Sequence, residues 1–381
     1  MKNLSSNRIN DNQALLAFSY FQKIGPVNMR LLENYFSSIA SAYLANSFYL
    51  EKAGLKPNLT TEFIKWRETF DLAAAENELT KENISFITWH NPEYPTLLKE
   101  IPTPPFILYY KGLKEAFSDK NKNRLAVVGS RKHSAYAEKV IVEFMPDLIN
   151  QGVEIISGLA LGVDSLAHQA AVDNNGITIA VLGTGVDSAS IYPAINRRLA
   201  SEIVNKGGLI ISEFPPKTQP LRQNFPQRNR IISGLCQATL VVEAKEKSGS
   251  LITANYALDQ NREVLATPGN IFAEFSGGTN NLIKIGAKTI TKVEEILEVF
   301  GLETDEQEKG KKQTKQKIIF KTEEEKIIYD ILKQSNERAE KITADEITRI
   351  SKLDTSVINS TLSILELRGV AKSDGISYDI N

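Results

Sequence analysis

The segment with the most side chains suited to binding a ligand spans residues 214–230. It contains four cations and two aromatic rings, and it has no acidic residue. Its cations are Lys217, Arg222, Arg228 and Arg230, and its aromatic residues are Phe214 and Phe225. Cations that follow a phosphate backbone, with aromatic faces on which bases stack, are what binding of a single nucleic-acid strand requires. The alternative is that the phenylalanines fill the core and the arginines are ordinary surface charges.

A second polar segment, Gly129-Ser130-Arg131, directly follows an apolar run. Gly129 lets the backbone approach a ligand, the Ser130 hydroxyl can donate to a phosphate, and Arg131 presents a planar guanidinium to phosphate oxygens. A dinucleotide fingerprint would need G-x-G-x-x-G at this point, and the turn has one glycine. We therefore expect neither NAD nor FAD, and no cofactor. The alternative for Arg131 is a structural ion pair.

Two further glycine-bearing segments follow later apolar runs. Gly183 and Gly185 open a loop in which backbone must come close to another group. The other segment precedes a predicted helix, and small hydroxyl residues beside a lysine at a helix start form an anion-binding nest. Its members are Lys245, Ser248, Gly249 and Ser250.

Asp164 and His168 stand four residues apart in a predicted helix. That spacing could bring them together as a proton-transfer pair. We favour a structural role, in which Asp164 caps the N-terminus of a helix over 165–172 and His168 lies one turn inside it.

These segments need elements to position them, and short apolar runs supply a sheet. The runs cover residues 125–128, 153–156, 177–182, 209–211, 238–242 and 263–266. Continuous apolar strands that alternate with helices predict a parallel sheet covered on both faces, as in a doubly wound, Rossmann-like α/β domain. Ligands of such sheets bind at the carboxyl ends of the strands, so the polar segments should converge there.

Composition shifts predict five parts. They are a helical SAM or helix-hairpin-helix-like domain (1–85), a proline-rich connection (86–110), the Rossmann-like domain (111–300), a charged linker (301–320) and a winged-helix domain (321–381). Residues 342–381 contain four Lys/Arg and six Asp/Glu, which favours a protein-contact or accessory role over duplex binding for the last part.

Overall composition excludes several classes of protein. The 381 residues carry a net charge of −1, so any nucleic-acid site must be local rather than a basic coat. One cysteine and three histidines exclude a disulfide and a Cys/His zinc site. The first residues lack the apolar run of a signal peptide, and no apolar stretch of about 18 residues occurs, so we expect a cytoplasmic protein without a membrane partner.

Taken in order, the motifs resemble one family. They are G-S-R, S-G-L-A-x-G-V-D-x-x-A-H, L-G-T-G-V-D, F-P-x-R-N-R-I-I-S-G, V-V-E-A-x-x-x-S-G-S-L-I-T-A and P-G-N, spread over residues 125–290. This succession resembles the DNA-processing protein A (DprA/Smf) family. The resemblance implies a non-catalytic homodimer that binds and protects single-stranded DNA and helps to load the RecA recombinase during DNA uptake and natural transformation.

The resemblance also implies roles for individual residues. Family DNA contacts correspond to Arg131, Arg228, Asn229 and Arg230, and by extension to Ser130, Lys245, Ser248, Gly249 and Ser250. Dimerisation through the same domain points to Leu282 and Ile285. Two alternatives stay open: a nucleotide-processing N-glycosidase-like enzyme of a related Rossmann-like fold, and a winged-helix transcription regulator.

Overall fold

The computed structural model describes residues 9–119, 122–302, 322–337, 342–368, 370–373 and 377–380. The chain divides into two compact units, Met1–Thr304 and Asp305–Asn381. All but the first two residues of the predicted linker 301–320 lie outside the described residues, as do residues 374–376 of the predicted winged-helix domain.

The first unit alternates helices and strands. Its helices are α1 (Asp11–Tyr20), α2 (Pro26–Tyr35), α3 (Ile39–Leu44), α4 (Ser47–Lys52), α5 (Pro57–Thr69), α6 (Leu72–Lys81), α7 (Thr96–Lys99), α8 (Ala135–Asn150), α9 (Val163–Asp173), α10 (Arg197–Asn205), α11 (Asn224–Gly234), α12 (Gly249–Asp259), α13 (Gly277–Lys284) and α14 (Glu294–Leu297). Its strands are β1 (Ser85–Thr88), β2 (Ile107–Gly112), β3 (Asn123–Val128), β4 (Val153–Ser157), β5 (Thr178–Val181), β6 (Leu209–Ser212), β7 (Ala238–Val241), β8 (Glu263–Ala266) and β9 (Lys288–Thr289). Three short 3₁₀ segments lie at Lys114–Phe117, Ala194–Asn196 and Glu298–Phe300.

The strands form one sheet in the order β1-β2-β6-β5-β4-β3-β7-β8-β9. From β6 to β9 every neighbouring pair is parallel, whereas β1 and β2 join antiparallel at the β6 edge. All six apolar runs of the sequence are strands of the parallel part, which confirms the prediction of an α/β fold with a largely parallel central sheet.

Helices cover both faces of the sheet because its strands are apolar on both sides. In β3, Ala126 and Val128 pack into one buried cluster, and Leu125 and Val127 pack into the other. This division follows from the two-residue period of a strand. The buried strands therefore read as continuous apolar runs rather than as an alternating pattern.

The connections reverse direction beside β3. After β3 the chain builds β4, β5 and β6 on one side and then returns to place β7 on the other side. The carboxyl ends of β3 and β7 therefore flank the topological switch point, where open α/β sheets form a crevice. The Gly129-Ser130-Arg131 turn leaves β3 at this point, and the segment that carries Lys245 and Ser248 leaves β7.

The N-terminal helices pack on the antiparallel edge of this sheet. Gly25 is the N-cap of α2 and Pro26 its first residue, as their order in the sequence indicates. Ser19 in α1 hydrogen-bonds the Tyr109 hydroxyl of β2. The prolines of the predicted connection lie between β1 and β2, so this segment contributes two strands to the sheet, and the helices belong to the same compact unit.

The second unit has its own small core. It contains α15 (Glu323–Glu337), α16 (Ala344–Ser351), α17 (Thr355–Leu367), β10 (Ile342–Thr343), β11 (Ala371–Ser373) and β12 (Ser377–Ile380). Thr343 and Glu346 form the capping box that the sequence indicates for α16. Ile328, Leu332 and Ile347 are among the buried side chains that hold the helices together. In the described part of the chain, no helix is both long and apolar enough to cross a membrane.

Candidate nucleic-acid interface

An open cleft of about 760 Å³ lies at the switch point of the sheet. Twelve of the residues that the sequence singles out line it: Gly129, Ser130, Arg131, Asp164, Arg222, Phe225, Arg228, Asn229, Lys245, Ser248, Gly249 and Ser250. Three further lining residues with cationic or aromatic side chains are Lys132, Tyr192 and Lys247. Gly183, Gly185 and Arg230 do not line it.

Two features hold the turn after β3: the close approach of α9 and the hydrogen bonds of the Ser130 side chain to the backbone of its own turn. A Cβ on Gly129 would lie 2.6 Å from Val163 Cγ2, so the close approach of α9 requires glycine here. The Ser130 hydroxyl donates to the Lys132 carbonyl at 2.7 Å and accepts from the Lys132 amide. Ser130 therefore stabilises its own turn in this structure, in contrast to the predicted donation to a phosphate.

Arg131 is exposed, and no carboxylate among the described residues forms an ion pair with it. Its guanidinium lies over the Phe225 ring, 5.7 Å from the centroid. The predicted alternative of a structural ion pair for Arg131 has no support in the described residues. A planar, unneutralised guanidinium at the mouth of a cleft can meet a phosphate with two parallel hydrogen bonds.

The start of α12 forms the opposite rim. Ser248 is the N-cap, and its hydroxyl accepts from the Ser250 amide at 3.3 Å. A Cβ on Gly249 would meet open space, so its backbone faces the cleft without a covering side chain. The positive end of the helix dipole at this terminus favours an anion, and Lys247 beside it is exposed.

Arg228 is only 4% exposed, which sequence reasoning did not foresee. Its Nη1 donates to the carbonyl of Gly158, directly after β4, and to the carbonyl of Val181, the last residue of β5. Its Nε donates to Asn229 Oδ1 at 3.2 Å. A Cβ on Gly158 would lie 2.5 Å from Arg228 Nη2, so this glycine makes room for the guanidinium. Arg228 thus ties α11 to the strand ends and presents only one edge to the cleft.

Burial shapes the protonation of this region. Burial lowers the pKa of Arg228 to about 10, and Asp164 partly offsets that decrease. Burial raises the pKa of the Asp164 carboxyl, and the nearby Arg228 charge opposes this rise. Arg228 is therefore protonated at neutral pH.

The structural interpretation of Asp164 needs a correction. Helix α9 begins at Val163 with Gly162 as its N-cap, so Asp164 lies in the first turn and is not the cap. Its carboxylate instead accepts from the Gly158 amide at 3.1 Å and the Ala160 amide at 3.4 Å. Gly162 has φ +80°, and this left-handed conformation favours glycine at the cap.

His168 is fully buried and has no contact with a ligand-accessible surface. The Thr178 hydroxyl donates to the Ile155 carbonyl, so His168 Nδ1 is the donor in its 2.7 Å bond to that hydroxyl. Burial, with a smaller contribution from Arg228, lowers the pKa of His168 to about 3. A neutral, enclosed imidazole fits the structural role rather than the proton-transfer pair.

The sequence Arg228-Asn229-Arg230 does not act as one cationic patch, because it lies in α11 and not in a loop. Residues two apart on a helix point to different sides. Asn229 Nδ2 donates to the Gly249 carbonyl across the cleft at 3.3 Å. Arg230 instead forms a bidentate pair with Glu213, at 2.9 and 2.6 Å. The predicted DNA contact by Arg230 is therefore corrected to a structural ion pair.

The two glycines after β5 pack against protein rather than against the cleft. A Cβ on Gly183 would lie 3.0 Å from the Phe225 ring. A Cβ on Gly185 would lie 2.5 Å from Asp187 Oδ2 and 2.9 Å from the Lys217 amide. The prediction of close backbone approach is right, but the partners belong to the chain itself: the first turn of α11 for Gly183, and the loops that carry Asp187 and Lys217 for Gly185.

Lys245 lines the cleft but is already paired with Glu274. Its ammonium also lies 5.0 Å from the centroid of the Phe275 ring. Lys132, Arg222 and Lys247 are exposed, and among the described residues the structure gives them no ion pair. Arg222 is one of the four cations of the segment 214–230, and the sequence signal for Lys247 was its position between Lys245 and Ser248.

The two residues predicted to contact a second copy of the chain differ in their exposure to solvent. Leu282 is 4% exposed and packs in the hydrophobic core, so the prediction for Leu282 is corrected to a core role. Ile285 is 65% exposed just after α13. Across the described ranges, no group of three or more His, Cys, Asp or Glu side chains could hold a metal ion.

The fold and the cleft define a doubly wound α/β protein with cations gathered at its topological switch point. The model of the family described as DNA recombination-mediator protein A matches residues 85–301. Protein Smf of Synechocystis sp. is 39% identical over 295 residues, which cover 77% of this chain and 73% of that protein. The chain belongs to the DNA recombination-mediator protein A family.

Two solved structures are similar to this one. The X-ray structure of DNA processing protein A from Streptococcus pneumoniae has a TM-score of 0.65 and 33% identity, covering 76% of this chain and 98% of that one. DNA processing protein A from Helicobacter pylori has a TM-score of 0.51 and 28% identity, covering 57% of this chain and 95% of that one. The Helicobacter pylori structure is described in terms of its single-stranded DNA binding mode.

Proposed function

We propose that this protein is a recombination mediator that binds single-stranded DNA in the cleft at the switch point, protects it and delivers it to the RecA recombinase during DNA uptake. The observation that carries the proposal is that the unneutralised Arg131 guanidinium, which lies over Phe225, lines the same cleft as the N-terminus of α12. The family to which the chain belongs and the binding mode attributed to the Helicobacter pylori protein support it.

The charge distribution supports binding of a polyanion at one place. The whole chain has a net charge of −1, but Arg131, Arg222 and Lys247 line one cleft and form no ion pair with a carboxylate among the described residues. Neutralising phosphates with such groups releases counterions, which makes the affinity fall as salt rises. Aromatic groups in the same cleft favour an unpaired strand, because bases in a duplex do not expose their faces.

The test is a salt titration of binding to labelled single-stranded and duplex oligonucleotides of equal length, followed by fluorescence anisotropy. We expect tighter binding of the single strand and a log–log salt slope of about −0.7 for each phosphate contacted. Equal or tighter binding of the duplex, or affinity that is independent of salt, would overturn the proposal.

Delivery to RecA is tested separately. With saturating single-stranded DNA, we expect the protein to accelerate RecA filament assembly and to shield the strand from a nuclease. Arg131→Ala should lose both effects together, since both require the bound strand. Strand binding without any acceleration would remove the RecA part of the proposal and leave the DNA-binding part intact.

We also propose that the protein acts as a homodimer through the Rossmann-like domain, with Ile285 at the contact. Its exposed side chain follows α13 at the last strands of the sheet. Ile285→Glu should reduce the mass measured by light scattering, and an unchanged mass would remove Ile285 from the interface.

The remaining parts of the proposal concern the other regions. We assign a SAM or helix-hairpin-helix-like role to the N-terminal helices and a winged-helix fold to the second unit, which combines three helices with a three-stranded sheet. Its acidic balance supports a protein-contact role, so removal of residues 305–381 should leave duplex affinity unchanged.

We further propose that the protein is not an enzyme: the buried Asp164 and His168 support this, and release of free base from a nucleoside monophosphate would contradict it.

A further inference from the structure

Tyr192 reaches the cleft from a part of the chain that the site assignment does not use. It lies in the segment between β5 and α10, lines the cleft and is 47% exposed. Its ring centroid is 5.8 Å from that of Phe225, with 49° between the ring planes. Two aromatic rings of the cleft lining are therefore in contact with each other.

Most of the Phe225 ring is already in contact with protein. The Arg131 guanidinium lies over it, Gly183 packs against its Cδ1 edge, and Tyr192 is its aromatic neighbour. Phe225 is accordingly half-buried, whereas Tyr192 is exposed. A base can reach the Tyr192 ring without displacing another side chain.

The backbone that carries Tyr192 is anchored on both sides. The Ser190 amide donates to Asp187 Oδ1 at 3.1 Å and to the Asp187 carbonyl at 3.0 Å. Asn196 Nδ2 donates to the Leu159 carbonyl at 2.9 Å, and Ile191 is buried. Little conformational entropy is therefore lost when the ring is used as a contact surface.

We propose that Tyr192 is a base-stacking residue and that it makes the cleft select an unpaired strand over a duplex. This inference rests on the proposed function, since it assigns a role within the same cleft. Cations such as Arg131 and Lys247 meet phosphates, which both forms of DNA display. An aromatic face needs an unstacked base, and it accepts any of the bases because each has a π-face.

The experiment compares two labelled probes with the same number of phosphates, an oligo-dT strand and an abasic strand. For Tyr192→Ala we expect dT affinity to fall roughly 5- to 150-fold, which is the range that stacking of about 1–3 kcal/mol per base gives at about 1.4 kcal/mol per tenfold. Affinity for the abasic strand should change less than about twofold. Tyr192→Phe and Tyr192→Trp should keep the affinity for dT, because the ring and not the hydroxyl makes the contact.

Two controls separate the outcomes. Tyr35→Ala removes another exposed tyrosine ring, located in α2, and should change neither affinity. Arg131→Ala should weaken binding of both probes, and normal binding of both by this variant would overturn the proposed function itself. If Arg131→Ala weakens binding but Tyr192→Ala leaves dT affinity unchanged, or weakens both probes equally, the stacking role of Tyr192 is overturned while the proposed function stands.

Discussion

The cleft has two cationic walls that differ in burial. We call residues 129–132 the turn wall and Arg228 on α11 the helix wall. In the turn wall Arg131 is exposed and has no ion pair to the described residues. In the helix wall Arg228 donates to two carbonyls. Arg230, two residues further along α11, lies outside the cleft and is paired with Glu213.

The difference shows that the surroundings of an arginine decide whether its guanidinium stabilises the fold or stays available to bind a ligand. Where strand ends leave carbonyls without partners, a buried arginine satisfies several at once and fixes the geometry of the loops. Where a turn lifts the arginine into solvent, its donors are free for a ligand. Substitution of Arg228 should therefore affect stability first, whereas substitution of Arg131 should affect binding alone.

The largest effect is expected for Arg228→Ala. It removes the donor to the Gly158 and Val181 carbonyls, and each hydrogen bond from a charged group contributes about 1.5–3 kcal/mol, so the free energy of unfolding should fall by roughly 3–6 kcal/mol. Chemical denaturation measures this change. Arg222→Ala, at an exposed position of the same cleft, is the control and should cost less than about 0.5 kcal/mol. Equal stability of the two variants would remove the distinction between the walls.

Arg131→Ala should produce the largest loss of binding without a loss of stability. Charge-assisted hydrogen bonds of about 1.5–3 kcal/mol correspond to roughly a 10- to 150-fold weaker affinity for single-stranded DNA. The thermal unfolding midpoint should stay near that of the wild type because the side chain is exposed. Anisotropy and thermal melts on the same samples test both parts, and a matching drop in stability would place Arg131 with the helix wall.

The pH dependence of stability tests His168, whose pKa is lowered by burial and by the nearby charge of Arg228 in the helix wall. The folded-state pKa of His168 is about 3, below its ordinary value of 6.5, so the unfolded chain takes up the proton first as pH falls. The stabilisation is complete above pH 6.5 and is lost between pH 6.5 and pH 3, with a loss of roughly 2 kcal/mol at pH 5.

His168→Gln cannot be protonated in this range but can still donate to the Thr178 hydroxyl. Denaturation at pH 7 and pH 5 should therefore show a smaller decrease for this variant than for the wild type. Identical decreases would mean that the His168 pKa is not depressed in the folded state.

The smallest effect is expected from two lysines near the α12 rim. Lys247→Ala should make the salt slope of single-strand binding shallower by about 0.7, since one phosphate contact is lost. Lys245→Ala should change it less, because Glu274 already neutralises Lys245. A larger change for Lys245 would show that the Glu274 pair opens when DNA binds.

Much of the architecture could be predicted because it depends on local patterns. The apolar runs place the parallel strands, and the polar turns after them mark the carboxyl edge where Arg131 and Ser248 lie. Strands β1 and β9, at the two edges of the sheet, are short and weakly apolar, so no apolar run in the sequence predicts them.

Side-chain partners were the less predictable part of the site. Arg228 and Arg230 look equivalent in the sequence, but the helical path of α11 sends one to strand-end carbonyls and the other to Glu213. Leu282 and Ile285 look equally apolar, but the turn of α13 buries the first and exposes the second. Lys245 looks free, but Glu274, 29 residues further on, reaches it.

Local sequence patterns are enough to establish which backbone segments meet, because strand periodicity and the direction of parallel connections bring the polar turns to one edge of the sheet. Which side chains in those segments remain available depends on how the folded chain packs. Availability depends on partners that are distant in sequence, such as the Gly158 carbonyl for Arg228, and on the exposure of a ring such as Tyr192. Those partners are fixed by packing in three dimensions, which no local pattern encodes.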